Sequence, residues 1–295
     1  MAGASVLAEA VADWHPDAVT ERDTLHPGPC AALARLLGAA DPPGQGHPLP
    51  PFWQWMFFVT WPPAADLGSD GHLRDGHFLP PIPDRRRMVA GGRLEVVDPP
   101  IIGAELLRHS RLDRVQLKSG RSGELCLVTV RHEFVQHGRV RLVEEQDFIY
   151  RSAARYLAVS TEPDPIPDAT LRFELATDPV TLFLFSALTA NPHRIHYDEG
   201  YCRDVEGFPE RVVHGPLVVL AMLEMLRAHA PSRRVRSASY RLTRPFFAGD
   251  TVVVTSAGGE PVMRLTAGCT TSAGTAIADV TTADGAAARG HRDHR

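Results

Sequence analysis

The stretch VVHGPLVVLAMLEMLRAHAP, Val212 to Pro231, decides the fold. From Gly215 to Leu226 it is apolar on every side apart from Glu224. A helix on a protein surface shows one apolar stripe, so a run that is apolar all round belongs inside. His214-Gly215-Pro216 reads as its start, because proline is well tolerated in the first helical turn. Three or four strands follow: RSASYRLTRPF from Arg236, TVVVTSA from Thr251, PVMRLTAGCT from Pro261 and TAIADVTT from Thr275. A helix enclosed on most sides and followed by a run of strands points to an antiparallel sheet wrapped around that helix.

Working back toward the N-terminus, VSTEPDPIPDAT (Val159 to Thr170) carries three prolines and three acidic residues and reads as an interdomain linker. Before it, ELCLVTVRHEFV (Glu124 to Val135) and RVRLVEEQDFIY (Arg139 to Tyr150) are rich in β-branched and aromatic residues, with a short QHG connection that suits a hairpin. KSGRSGE joins the first of these to an earlier strand, RLDRVQLK, and the strand region as a whole is expected over residues 91–151. Thr24 to Gly38 reads as a helix with proline near its start and glycine at its end. The remaining N-terminal residues alternate helical signals with breaks. Asp41 to Pro83 is too irregular for long helices and too aromatic for a linker, so it is expected to be an ordered, packed loop. The expected organisation is an N-terminal unit over 1–158, a linker over 159–170, a C-terminal unit over 171–284 and a disordered tail over 285–295.

Bulk composition excludes several classes of function. The 295 residues are 44% hydrophobic and 22% charged, ordinary for a globular protein, and the formal net charge of -4 offers no basic field to nucleic acid or an anionic membrane. Cys30, Cys126, Cys202 and Cys269 are scattered with no C-x-x-C pair, which argues against a disulfide framework or a thiolate zinc site and fits a reducing cytosol. The N-terminal apolar run is too short for a signal peptide, and no run approaches the roughly 18 residues that span a bilayer. A soluble, cytoplasmic protein is expected, without nucleic acid or membrane as partner.

Chemistry concentrates in ALTANPHRIHYD, Ala187 to Asp198, where Asn191, His193, His196 and Asp198 fall within eight residues. These could form a metal site, an acid–base group or a polar loop closing a core. No H-E-x-x-H framework is present and Pro192 interrupts the local geometry, so no metal is expected. Gly91-Gly92 is no phosphate loop.

This stretch and IHYDEGYCRDVEGFPERVVHG (Ile195 to Gly215) resemble the MaoC-like hydratase/dehydratase superfamily. Together with SDGHLRDGHFLPPIPDRRRMVAGGRLEV, LKSGRSGELCLVTVRHE and EEQDFIYR they are similar to its hydroxyacyl-thioester dehydratase type 2 group, which includes mesaconyl- and itaconyl-coenzyme A hydratases. The resemblance covers roughly residues 45 to 285. It implies an α+β double hot dog: two curved antiparallel sheets, each around a central helix. It also implies a hydro-lyase that adds water reversibly across the double bond of an enoyl thioester on coenzyme A or an acyl carrier, with a short-chain or five-carbon dicarboxylic acyl group. No cofactor is implied, and the assembly is expected to be a monomer or homodimer of double hot dogs.

By that resemblance His196 takes the catalytic position, and imidazole suits proton transfer near neutral pH. Five residues earlier, where the superfamily has Asp, stands Asn191, which cannot accept a proton but can hold a water. The type 2 group also has Asn there, so an active enzyme is expected, with a non-catalytic thioester-binding protein as the alternative. Either His196 alone moves the proton or another group substitutes, His193 being the natural candidate. Asp198 orients the imidazole or caps the following helix, capping being favoured. An enolate oxygen needs backbone donors at a helix N-terminus, and since Pro216 has no N–H the expected donor is Gly215, whose missing Cβ would let substrate approach. His214 in the same turn, the run Arg85-Arg86-Arg87, Arg241 and Arg244 are candidate substrate binders, guanidinium being suited to phosphate and carboxylate. The N-terminal half, with no His-bearing motif of its own, is expected to wall an acyl tunnel with Trp53, Trp55, Phe57, Phe58 and Trp61.

Overall fold

The computed structural model describes residues 5–120, 123–152, 162–167, 169, 171–257 and 261–284. The N-terminal half contributes α1 (Val6–Val11), β1 (Val19–Thr24), α2 (Pro27–Leu36), β2 (Arg85–Val96), β3 (Glu105–Gly120), β4 (Gly123–Gln136) and β5 (Arg139–Ser152). The C-terminal half contributes β6 (Arg172–Ala176), α3 (Pro179–Leu188), α4 (Glu199–Tyr201), α5 (Gly215–His229), β7 (Arg233–Arg244), β8 (Thr251–Ala257), β9 (Val262–Gly268) and β10 (Thr275–Asp284).

The strands form one 10-stranded sheet in the order β1-β3-β4-β5-β2-β7-β10-β9-β8-β6. Its two halves join at the antiparallel pair β2–β7, where Gly91 faces Arg241 and Gly92 faces Tyr240. Helix α5 lies against β6 to β10, and every residue from Leu217 to Leu226 is buried. Strand β10 supplies part of that enclosure by turning Ala276, Ala278 and Val280 inward. The one charge in the enclosed run is neutralised locally: Arg227 donates to both Glu224 carboxylate oxygens at 2.8 Å. A buried carboxylate without such a partner would cost several kcal/mol. Helix α2 contributes Cys30, Leu33 and Ala34 to the same core as α5. A second, smaller cluster sits under α1, where Leu7 packs with Cys126, Val128, Phe148 and Tyr150. Among the described residues no helix is long and apolar enough to cross a membrane.

One element differs from the sequence expectation and two were not anticipated by it. Val19–Thr24 is an edge strand, not part of a helical region; its charged side chains pair across to β3, Arg108 donating to Glu21 at 2.6 Å and Arg22 to Glu105 at 3.2 Å. Strand β2 begins at Arg85, ahead of the strand region expected from residue 91, and takes in the arginine run. Helix α3 has a β-rich composition, PVTLFLFSAL, yet Asp178 caps it by accepting from the Val180 and Thr181 amides, and Pro179 occupies its first turn. That cap outweighs propensity because it satisfies two otherwise unpaired donors. Of the expected linker, residues 159–161, 168 and 170 lie outside the described residues, as does the whole 285–295 tail.

Candidate active site

Helix α3 ends at Leu188, and the chain turns through Ala190 in a left-handed conformation, φ 47°. Asn191 closes this turn. Its amide donates to Ser186 O at 2.9 Å, and its Oδ1 accepts the His193 N–H at 3.1 Å. One 3-10 turn, Arg194–His196, then brings His196 into the interior. Asp198 accepts the Tyr201 N–H at 2.9 Å to start α4 and takes the Arg194 guanidinium at 2.7 Å, so it caps and does not orient the imidazole.

The imidazole of His196 is oriented instead by the Val212 carbonyl, 2.7 Å from Nδ1. A carbonyl can only accept, so Nδ1 carries the hydrogen and Nε2 keeps its lone pair. Burial pushes the ring's pKa down to about 4, against the favourable bond to Val212, so it is neutral at physiological pH. The His214 ring stacks on it with centroids 3.6 Å apart, and His214 Nε2 meets Ser186 Oγ at 2.9 Å. His214 Nδ1 is buried without a partner among the described residues.

The start of α5 is fixed beside these rings. Val212 N–H donates to Ile195 O and Val213 N–H to Phe246 O, each at 2.8 Å. His214 gives no side-chain cap, so the first-turn amides of α5 remain available to a ligand. Gly215 lines the same cavity as His196. Its glycine is explained differently from the sequence reading: a Cβ would fall 2.2 Å from Leu242 Cδ1. The missing side chain leaves room for the Leu242 side chain of β7.

The cavity has a volume of about 1070 Å³ and draws its walls from both halves. Asn191, His193, His196, His214 and Gly215 all line it. Trp55, Phe57 and Phe58 line it as expected, whereas Trp53 is in the core and Trp61 is 75% exposed. The five candidate arginines separate. Arg87 lines the cavity, with its guanidinium 4.2 Å from the Phe148 ring centre and its Nε buried without a partner among the described residues. Arg244 reaches the cavity too, but pairs with Asp164 and donates to Thr275 Oγ1 at 2.8 Å. Arg85 is spent on the carbonyls of Pro80, Leu73 and Arg74, and Arg86 pairs with Glu206. Arg241 is exposed and outside the cavity wall.

Two groups in this cavity were not singled out from sequence. Glu144 is buried and accepts from Gln54, Trp55 and Gln146 at 2.9, 2.6 and 2.7 Å; burial raises its pKa against those bonds. Asp70 and His72, in the N-terminal half, meet His193 across the junction: the His72 and His193 ring centres are 3.9 Å apart. The signal for Asp70 and His72 is the turn-forming SDGH at Ser69, within the loop Asp41 to Pro83. The ligand atoms of Asp70, His72 and His193 lie within 4.8 Å of one another, a spacing that admits an ion. The Arg87 guanidinium acts on both rings and opposes a second cation there.

A long apolar helix held in a curved sheet, with an imidazole and a helix N-terminus on one cavity, defines a MaoC-like double hot dog. A MaoC-like dehydratase from Phytophthora capsici has this fold, with a TM-score of 0.63 at 15% identity over 96% of this chain and 99% of that one. Residues 52–248 match the pattern of the hydroxyacyl-thioester dehydratase type 2 family, and the chain belongs to that family. It is 43% identical over 219 residues to the mesaconyl-C(4)-CoA hydratase of Chloroflexus aurantiacus, covering 74% of this chain and 78% of that protein. It is also 25% identical over 228 residues to the mitochondrial hydroxyacyl-thioester dehydratase type 2 of Schizosaccharomyces pombe, covering 68% of this chain and 74% of that one.

Proposed function

We propose that this protein is a hydro-lyase that hydrates an enoyl thioester, and dehydrates the 3-hydroxyacyl thioester in reverse. One observation carries the reading: the free Nε2 of His196 and the uncapped start of α5 border a single cavity. His196 accepts a hydrogen bond from the water and polarises it at the β-carbon. The Gly215 N–H donates to the thioester oxygen, where negative charge builds as the enolate forms. Asn191, whose Oδ1 already serves the His193 amide, holds the turn and offers its amide hydrogens to ligand. His214 stacks against His196 and fixes its plane.

The acyl group is short, and coenzyme A is its carrier. We place a free carboxylate of a five-carbon dicarboxylic acyl group on Arg87, because that side chain lines the cavity and its buried Nε has no hydrogen-bond partner among the described residues. The similarity to a hydratase of mesaconyl-C(4)-CoA supports this choice. Arg244 is the second cationic candidate on the cavity wall. The two hot-dog halves are residues 1–158, the tunnel wall, and 171–284, the catalytic unit, assembled as a monomer or homodimer of double hot dogs. Free, buried Cys30, Cys126, Cys202 and Cys269 fit a reducing compartment such as the cytoplasm.

The test is loss of the enoyl-thioester absorbance with purified protein and coenzyme A esters of four to six acyl carbons. Turnover is expected, and His196→Ala is expected to lower kcat by at least about 100-fold. Arg87→Leu is expected to lower kcat/KM for a dicarboxylic ester by about 10- to 100-fold, the worth of a charged hydrogen bond, and leave a monocarboxylic ester within about threefold. Absence of turnover on the whole panel refutes the hydratase reading. Asn191 favours one rival, a thioester-binding protein without turnover; tight binding with no reaction would establish it. Faster reaction on carrier-bound than on coenzyme A substrates would replace the assigned carrier.

A further inference from the structure

We propose that the N-terminal half supplies the proton carrier of this site: His72, oriented by Asp70, moves the proton between the α-carbon of the thioester and the water oxygen. The inference rests on the hydratase reading and deepens it.

The turn bearing these residues is built against the catalytic loop. Gly71 has φ +90°, and a Cβ there would fall 2.0 Å from the Pro192 carbonyl oxygen, a backbone atom that cannot yield. The Arg194 N–H donates to Asp70 O at 2.8 Å, and Arg194 Nη1 donates to Ser69 O at 3.0 Å. Backbone contacts therefore fix where His72 stands relative to His193. Within the turn, Asp70 takes both hydrogens that His72 offers on that side: Oδ1 accepts the His72 backbone N–H and Oδ2 accepts Nδ1–H, each at 3.0 Å.

A carboxylate on Nδ1 sets the tautomer, leaves Nε2 as the base, and stabilises the imidazolium once it forms. The other imidazoles lack this. His196 has a neutral carbonyl on Nδ1, and His214 has a serine hydroxyl on Nε2. Asn191 stands where the superfamily places a carboxylate, and an amide carries no proton between atoms. His72 and His193 line the cavity that holds His196 and Gly215. The charged and titratable groups facing His72 are Asp70 on its own turn, Arg85 and Arg87 on β2, and His193 and His196 across the junction. Burial lowers its pKa, Asp70 opposes this, and the two guanidiniums add to the lowering.

In the dehydration direction, His72 Nε2 takes the α-proton, and the C–H electron pair moves into the thioester as an enolate. The enolate then re-forms its carbonyl, the α,β double bond forms and the β C–O bond breaks. The departing hydroxide takes the same proton from His72 Nε2 and leaves as water. Hydration is the reverse, and the site returns to its starting charge after each turnover.

His72→Gln and Asp70→Asn, both close in size, are to be assayed for kcat, KM and binding of a saturated acyl-coenzyme A by calorimetry. His72→Gln is expected to lose about 100- to 10,000-fold in kcat, with KM and ligand binding within about threefold. Asp70→Asn is expected to lose about 10-fold or more in kcat and to move the acid limb of kcat/KM to lower pH, since the imidazolium loses its counter-charge. A His72→Gln kcat within threefold of wild type, beside an inactive His196→Ala, overturns the dyad and leaves the hydratase reading standing. If His72→Gln also loses ligand binding, Asp70→Asn decides: an unmoved acid limb overturns the proposal. Activity abolished by chelator and restored by stoichiometric zinc overturns it in favour of a metal cluster. A wild-type protein without turnover removes both readings together.

Discussion

Substituting Gly215 by alanine tests why the active-site helix begins with glycine. The added Cβ would sit 2.2 Å from Leu242 Cδ1, against an ordinary carbon–carbon contact of about 3.5–4.0 Å. Leu242 must therefore retreat by more than about 1 Å, and overpacking of this kind costs about 1–3 kcal/mol. Alanine's better helix propensity offsets at most about 1 kcal/mol, so the expected net loss is about 1–2 kcal/mol. Leu242→Ala alone removes a half-buried side chain and is expected to cost about 1–2 kcal/mol. The pair share one contact, so the double variant is expected to be less destabilised than the sum by about 1 kcal/mol or more. Urea denaturation of the wild type, both single variants and the double variant measures this coupling. Turnover is the second readout: the double variant is expected to regain most of what Gly215→Ala loses, because the start of α5 can return to its place. Additive stability losses, together with a double variant as inactive as Gly215→Ala, would refute the Leu242 explanation. They would restore the older expectation that this glycine makes room for substrate.

Other outcomes follow from the same geometry. Burial pushes His196 to about 4 and His132, with Arg108 adding to the effect, to about 3, while both titrate near 6.5 once unfolded. Between those values the unfolded chain binds protons that the folded chain refuses, so stability falls as pH falls, by up to about 1.4 kcal/mol per pH unit for each ring. Denaturation midpoints at pH 7.5, 6 and 5 are expected to decline steadily, and a flat profile would contradict buried neutral imidazoles. Gly71→Ala places a methyl against a backbone carbonyl at positive φ, and is expected to cost kcat at least about 10-fold by displacing His72, with about 2 kcal/mol or more of local stability lost. Wild-type kcat in that variant would show that the turn need not dock on Pro192.

How much of this was legible in sequence depended on whether the deciding partner lay nearby in the chain. The run from Gly215 to Leu226 announces an enclosed helix by its own composition, and the alternation of ELCLVTVRHEFV and RVRLVEEQDFIY announces paired strands. Val19–Thr24 carries three charges in six residues and declares nothing by pattern; its pairing is visible only against Glu105 and Arg108 on β3. Helix α3 is signalled by Asp178 and Pro179 at its start and not by the β-branched and aromatic residues within it. At the site, His196, Asn191, His193 and Gly215 fall within one motif and all reach one cavity. The arginines do not behave as a group because a strand sends neighbouring side chains to opposite faces. Arg86 leaves for Glu206, Arg87 enters the cavity, and only the structure shows which. Asp70 and His72 were harder still, since their meaning depends on Pro192 and Arg194 in the other half.

That dependence bears on the absent carboxylate of the catalytic motif. Considered by itself, the C-terminal half has an imidazole set on a neutral carbonyl and an amide where the superfamily has an acid, a poor arrangement for stabilising a transferred proton. Considered with the SDGH turn docked on Pro192, the same cavity gains a carboxylate–imidazole pair from the loop between α2 and β2. The N-terminal half then has a reason to be retained beyond walling a tunnel. The junction between the halves carries chemistry, and its rigidity matters: Gly71 against Pro192 O and Arg194 against Asp70 O are backbone contacts, which change little when surface side chains vary. A chain lacking the N-terminal half would lose Arg87, Asp70 and His72 together, and with them both the proposed partner of an acyl carboxylate and the proposed proton carrier.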